Sequence, residues 1–299
     1  MPRIPPSTIR QAHHISPHAA ALLPVCRDLP SALNELRWVR EHVRQLTPPA
    51  SSSSLWTEEL HVASLCRRRG RGEPLQYILG TQPFGGLELK CRPGVFIPRP
   101  EPEAYTTHLA ALIQHSHLLG PSPQSLSILD LCTGTGCIAL LLYSLLARTI
   151  PDLHVHGIDI SPYAVDLSKE NARHNNLAIT TTPPGRSLVF SQADIFSDTA
   201  LLGALTSSRD LPSQPPLDVL VCNPPYVSRW GYSRQTAQSV RRYEPKIAQV
   251  PMVEYPGDHT PEDVFYARLL DIAARLGPRV LLCEVGDLGQ ALRVVEMAL

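Results

Sequence analysis

Apolar positions follow two regimes along the chain. In the first hundred residues they recur at helical spacing. Leu33, Leu36, Val43 and Leu46 follow Asp28 and Ser31, residue types that cap helix starts, and predict a helix of about 16 residues. Pro48, Pro49 and Ser51 to Ser54 predict a loop, and Leu55 to Arg69 a second helix. Glu58 and Glu59 fall in its first turn, Arg67, Arg68 and Arg69 in its last, and Gly70 just beyond, an order that complements the helix dipole and supplies a left-handed cap. From Gly72 to Glu103 proline and glycine punctuate short segments, which predicts a β-hairpin linker ending in a proline-rigidified loop, followed by a helix from Ala104 to Leu119.

Beyond residue 120 short apolar runs alternate with helical stretches. Strands are predicted at Leu126–Leu131, His154–Ile160, Leu188–Gln192, Leu217–Cys222 and Val280–Val285. Helices are predicted at Ile138–Ala147, Pro162–His174, Glu262–Leu276 and Leu288–Leu299, with turn-rich loops at Thr180–Arg186 and Asp210–Pro216. Strand and helix in this alternation predict an α/β, doubly wound, Rossmann-like parallel sheet.

The candidate chemistry sits where these strands end. The run Val219 to Cys222 stops at Asn223-Pro224-Pro225-Tyr226, because proline cannot donate to a strand ladder. Two prolines stiffen the turn and hold the Asn223 amide and the Pro224 carbonyl beyond the carboxyl end of the strand, the edge at which open α/β sheets bind ligands. Donor, two acceptors and the flat Tyr226 ring suit a planar group carrying an NH2. The first strand runs into Cys132-Thr133-Gly134-Thr135-Gly136, a glycine turn opening a helix, where backbone N–H groups meet a ligand and negative charge is favoured. Asp159, ending the second strand, is placed to grip ribose hydroxyls, and Asp194, past the third, to accept from an adenine amino group. The glycine turn by itself fits NAD as well as S-adenosylmethionine. A hydride-transfer enzyme has no need of Asn-Pro-Pro-Tyr, whereas methyl transfer to an NH2 nitrogen needs that nitrogen gripped.

Composition narrows the partners. Formal net charge is zero, which argues against nonspecific nucleic-acid binding as the main activity. Residues 1–99 hold 13 Lys+Arg against 7 Asp+Glu, and residues 100–299 hold 14 against 20, so the front is basic and the catalytic part acidic. Seven scattered cysteines without a Cys-x-x-Cys pair indicate neither a disulfide framework nor a metal site, and an intracellular protein with reduced thiols is expected. The apolar stretches fall short of a membrane span. Residues 1–27 contain arginines, histidines and serines and no acidic residue, which reads as a mitochondrial leader or as the first helix of the domain.

Taken together, Pro74-Leu75-Gln76-Tyr77-Ile78-Leu79-Gly80, Ile97-Pro98-Arg99-Pro100-Glu101-Pro102-Glu103, the Asp130–Gly136 loop, Gly157-Ile158-Asp159, Asn223 to Tyr226, Tyr243-Glu244-Pro245 and Glu284-Val285-Gly286 resemble the HemK-type (PrmC-like) release factor glutamine N5-methyltransferases, class I S-adenosylmethionine-dependent enzymes. The resemblance covers roughly residues 70 to 290. It implies a helical substrate-docking domain (28–80), a β-hairpin linker (81–103) and a methyltransferase domain (104–299) that is truncated or leaves its fifth strand as an edge. It implies a class-1 peptide chain release factor as protein substrate, with no stable nucleic acid and no membrane. Cys132, Thr133, Gly134, Thr135, Gly136, Asp159, Asp194 and Ile195 would line the cofactor site, Asn223 would touch cofactor and substrate, and Asn223 to Tyr226 would hold the glutamine amide. Within the family the helical domain implies a mitochondrial matrix protein, with the cytoplasm as the alternative. Departures are Ile195 where the family commonly has tryptophan, and Gly257-Asp258-His259-Thr260-Pro261 in place of a Gly-Gly-x-Asp-Gly segment. They keep open a decayed S-adenosylmethionine-binding module, and Asn-Pro-Pro-Tyr keeps open an adenine-N6 methyltransferase.

Overall fold

In the computed structural model the described residues are 3–46, 53–116, 118–120, 123–177, 185–207 and 216–299. The chain opens with helices α1 (Pro6–Ile15), α2 (Pro17–Cys26), α3 (Leu29–Leu46), α4 (Ser53–Gly70) and α5 (Leu75–Leu79). A hairpin of β1 (Thr81–Phe84) and β2 (Leu87–Lys90) leads to α6 (Pro100–His115), then β3 (Ser125–Leu131), α7 (Cys137–Leu146), β4 (Asp152–Asp159), α8 (Pro162–His174), β5 (Arg186–Gln192), α9 (Asp198–Ser207) and β6 (Val219–Cys222). The remainder is α10 (Arg229–Arg234), α11 (Gln238–Tyr243), α12 (Val264–Leu276), β7 (Val280–Cys283) and α13 (Leu288–Ala298).

Two compact units result, one comprising Met1–Gly80 with Ala237–Tyr243, the other Thr81–Thr236 with Glu244–Leu299. The first is a helical bundle. The expected cap is in place, Ser31 N donating to Asp28 Oδ1 at 2.8 Å. Leu36, Val39 and Val43 of α3 and Val62 and Leu65 of α4 are buried together with Ala12, Ala19, Leu22 and Leu23. The acid-free segment 1–27 therefore contributes two helices to this core. Two of the three arginines at the end of α4 are engaged within the unit. Arg69 forms a fork with Glu35 at 2.7 and 2.9 Å, and Arg68 Nε donates to Glu73 at 2.8 Å. The Pro74–Gly80 segment, which proline and glycine punctuation groups with the linker and the resemblance with the helical domain, is helical as α5 and closes on Gly80. The loop expected at Pro48, Pro49 and Ser51 lies outside the described residues, while Ser53 and Ser54 already belong to α4.

In the second unit the helix expected from Ala104 begins four residues earlier. Pro100 occupies the first turn, where its missing N–H costs nothing, and Glu101 and Glu103 meet the positive end of the dipole. The sheet is all parallel in the order β5-β4-β3-β6-β7, with the hairpin as a separate two-stranded sheet. Successive side chains face opposite sides, so the sheet feeds two cores. Ile128, Val155, Leu188, Val219 and Val221 pack with Leu109, Ile113, Leu140, Leu141 and Val165. On the other face Leu129, Leu131, Ile158, Leu220 and Cys222 pack with Leu201, Leu205, Leu269 and Ile272. Of the predicted loops Thr180–Arg186 and Asp210–Pro216, residues 180–184 and 210–215 lie outside the described residues, and Arg186 already opens β5.

Strand register places the candidate chemistry. Leu131 pairs with Ile158 and with Cys222, and Cys222 pairs with Cys283. The next residues along these four strand ends are Asp159, Cys132, Asn223 and Glu284. Parallel pairing thus sets them side by side at the carboxyl edge, around the point where the strand order reverses between β3 and β6.

Candidate active site

A cavity of about 650 Å³ opens at that edge, within the range of small-molecule and cofactor sites. One side is the glycine turn, where Cys132 (φ 59°), Gly134 (φ 56°) and Gly136 (φ 80°) are left-handed and lift the backbone over the start of α7. Asp159 fastens this turn: Oδ2 accepts from Gly134 N at 2.8 Å and Oδ1 from Ser161 N at 2.9 Å. Burial pushes the Asp159 carboxyl up, opposed by those backbone N–H groups. Beneath the turn lies Asp130, fully buried. Its Oδ2 accepts from Thr133 Oγ1 at 2.6 Å and Ala139 N at 3.2 Å, while Oδ1 has no partner among the described residues. Burial pushes its pKa up to about 7.

Ile195, Phe196 and Phe265 line the wall beyond Asp159. Phe196 stands edge-on to Phe265 with centroids 4.9 Å apart. The buried Arg268 guanidinium donates from Nε to the Ile195 carbonyl at 2.6 Å and from Nη2 to Asp198 at 2.5 Å, fixing the segment after β5. An aliphatic Ile195 therefore does not leave this wall without aromatic rings.

The opposite side of the cavity is Asn223 to Val227, the segment Val95 to Pro102, and Glu284 to Gly286. Pro224 and Pro225 are buried and Asn223 is half-buried. Tyr226 Oη donates to Glu284 Oε1 at 2.8 Å. Residues 97–99 are held by Glu244, whose Oε2 accepts from Ile97 N at 3.1 Å and Oε1 from Arg99 Nη2 at 2.6 Å. Arg99 also lies over the Phe96 ring at 4.5 Å.

These features fit S-adenosylmethionine. Backbone N–H groups at a helix start suit its carboxylate, a strand-end carboxylate suits a ribose diol, and the apolar lining of Ile195, Phe196 and Phe265 suits adenine. A methyltransferase domain family matches residues 123–202, the stretch from β3 to α9. Over 254 residues, 85% of this chain and 70% of the relative, the sequence is 37% identical to the mitochondrial MRF1 N(5)-glutamine methyltransferase MTQ1 of Saccharomyces cerevisiae. The chain belongs to the release factor glutamine methyltransferase family. The Schizosaccharomyces pombe member, a probable MRF1 mitochondrial N(5)-glutamine methyltransferase, is 32% identical over 82% of this chain and 72% of its own. The Chlorobaculum tepidum release factor glutamine methyltransferase is 34% identical over 73% and 64%. A looser likeness, at 18% identity and a TM-score of 0.45, links 78% of this chain to 71% of the N-terminal domain of human METTL16.

For this release factor glutamine methyltransferase homologue, Cys132, Thr133, Gly134, Thr135, Asp159, Asp194, Ile195, Asn223, Pro224, Pro225 and Tyr226 all face one cavity. Gly136 does not. It packs downward, where an added Cβ would stand 2.9 Å from the Ser168 Cβ, so its part is to seat the turn on α8. Asp194 is partly spent on its own turn, Oδ1 accepting from Phe196 N at 2.9 Å. Three groups on the wall were not assigned a role from the residues: Ile97 to Arg99 with Glu101 and Pro102, Phe265, and Glu284. Two of these lie in the segments Ile97–Glu103 and Glu284–Gly286, which carried the resemblance without an assigned role. The departure at Gly257–Pro261 contributes no residue to the cavity wall.

Proposed function

We propose that this protein transfers the methyl group of S-adenosylmethionine to the side-chain amide nitrogen of the Gly-Gly-Gln glutamine of a class-1 peptide chain release factor, in the mitochondrial matrix. The observation that carries the reading is that Asn223 to Tyr226 and the Cys132–Thr135 turn share one cavity, set side by side by the pairing of Leu131 with Cys222. The names of the relatives supply the substrate class, and two of them the compartment.

The cofactor, when bound, supplies an electrophilic methyl on a sulfonium. What the chain must supply is geometry, because an amide nitrogen has a delocalised lone pair and is a poor nucleophile. The Asn223 side-chain oxygen and the Pro224 carbonyl accept from the NH2 and turn its lone pair toward the glycine-turn side of the cavity. Placing nucleophile and methyl in line at about 3 Å is worth on the order of 7–11 kcal/mol of the barrier. Those two oxygens also favour the positive charge that develops on nitrogen. The proton is lost after the methyl has moved, when the nitrogen has become strongly acidic, and the reaction requires no general base.

Methyl-labelled S-adenosylmethionine tests this with three acceptors: a class-1 release factor, the same factor with the Gly-Gly-Gln glutamine changed to alanine, and duplex DNA. Label is expected only in the unmodified factor, at that glutamine by mass spectrometry, and in none when Asn223→Ala is used. Label in the glutamine-less factor or in DNA adenine would overturn the assignment, and cofactor binding without turnover would support the decayed module. A reporter fused to residues 1–30 is expected in mitochondria, and a cytosolic reporter would remove that support for the matrix.

A further inference from the structure

Glu284 is a buried-edge carboxylate on the cavity wall for which the methyl transfer itself has no use. It stands one residue past β7, next to Asn223 across the paired strand ends. Its main chain is fixed on both sides, its N–H donating to the Cys222 carbonyl at 3.0 Å and its carbonyl accepting from Tyr266 Oη at 2.8 Å. Its Oε1 accepts from Tyr226 Oη at 2.8 Å. Its Oε2 and the Tyr105 hydroxyl, both buried, face each other outside strict hydrogen-bond geometry.

Tyr226 is held at two further points. Gln290 Nε2 donates to its carbonyl at 3.3 Å, and Gly286 lies against its ring, where an added Cβ would stand 3.2 Å from Cδ2. Hydroxyl, backbone and ring edge are thus each fixed by a different group, and Glu284 holds the end farthest from the chain. A ring so constrained can define one face of a small planar amide, and in-line transfer is sensitive to such placement, since a misplacement of about 1 Å can cost on the order of 10²-fold.

We infer that Glu284 is a positioning residue for amide methylation, acting through the Tyr226 phenol, whose hydroxyl it holds. The inference rests on the glutamine-methylation reading. Tyr226 meets the substrate, and Glu284 sets where Tyr226 stands.

The test measures steady-state methylation of a release factor, S-adenosylmethionine affinity by calorimetry, and melting temperature, for Glu284→Ala, Glu284→Gln, Tyr226→Phe and Glu284→Ala with Tyr226→Phe. Glu284→Ala and Tyr226→Phe are each expected to lower kcat/KM for the factor by roughly 10- to 100-fold with cofactor affinity within about twofold of wild type. The double variant is expected to be no worse than the poorer single, and Glu284→Gln, which keeps an acceptor for the phenol, to recover most of the loss. Wild-type kcat/KM in Tyr226→Phe, losses that multiply in the double variant, or a Glu284→Gln as poor as Glu284→Ala would each overturn the inference. Tyr226→Phe removes a single oxygen and decides the matter even where Glu284→Ala does not fold. A wild-type enzyme that labels no factor would instead bring down the glutamine-methylation reading itself.

Discussion

Arg99 and Glu244 are 145 residues apart in the chain and 2.6 Å apart in the fold. The Glu244 side chain is 1% exposed and accepts from the Ile97 backbone N–H as well, so one carboxylate ties the segment before α6 to the segment after α11. Both segments form the cavity wall. The pairing explains why Ile97-Pro98-Arg99 and Tyr243-Glu244-Pro245 occur together: the first supplies two donors that only a buried acceptor at the second can satisfy.

Glu244→Ala should therefore cost about 1–3 kcal/mol, the price of leaving a buried N–H and a guanidinium without their acceptor. The figure sits below that for a wholly buried pair, because the Arg99 side chain is 30% exposed and water reaches it. Urea unfolding would show it as a lower midpoint, and Glu244→Gln, which keeps one acceptor, should fall between. An unchanged midpoint in Glu244→Ala would contradict the assignment.

Asp159 is expected to matter twice. Its two oxygens already hold Gly134 N and Ser161 N, so the carboxylate shapes the turn before any ribose hydroxyl reaches its remaining lone pairs. Asp159→Ala should weaken S-adenosylmethionine binding by about 1–3 kcal/mol. It should also raise amide hydrogen exchange at Gly134 in the free protein. Exchange unchanged at Gly134 would mean that the carboxylate serves the ligand alone.

Asp130 gives a pH dependence of definite sign. Burial raises its folded-state pKa to about 7 from 3.8, so between these values the folded chain holds a proton that the unfolded chain has released. More protons in the folded state means stability that falls as pH rises, with the contribution fully present below the unfolded value and lost as pH climbs through about 7. Asp130→Asn removes the titration and keeps an acceptor for Thr133. The free variant should melt above wild type at pH 8, and the gap should narrow toward pH 5. A gap that widened on acidification would reverse the assignment.

The sheet and the site's two anchors were legible because they are local. Val219 to Cys222 followed by Asn-Pro-Pro-Tyr ends a strand by its own chemistry, and the alternation of apolar runs with helical stretches brackets all five strands of the parallel sheet. What escaped depends on distance. Nothing near Glu284 in sequence announces Tyr226, 58 residues away, and nothing near Phe265 announces Phe196. The helices α9, α10 and α11 escaped for a related reason. The last two have six residues each, and such short helices are stabilised by what they pack against rather than by a periodic apolar face. The start of α6 was misjudged because prolines at 98, 100 and 102 suggest a loop, whereas the proline at position 100 is where a helix tolerates one.

The acid-free segment at the front yields the last prediction. Its arginines and histidines give it the composition of a leader, yet Ala12, Ala19 and Leu22 are fully buried and Leu23 is 2% exposed, packed with Leu36, Val39, Val43, Val62 and Leu65. Burying a leucine side chain is worth about 1.5–3 kcal/mol, so removing α1 and α2 forfeits several kcal/mol from a helical unit of fewer than a hundred residues. It also exposes the faces of α3 and α4 that met them. Deleting residues 3–26 is therefore expected to abolish amide protection across Leu36–Val43 and Val62–Cys66 in hydrogen-exchange mass spectrometry. Protection there equal to that of the full chain would mean that α3 and α4 form their core unaided, and that the first two helices are dispensable to it.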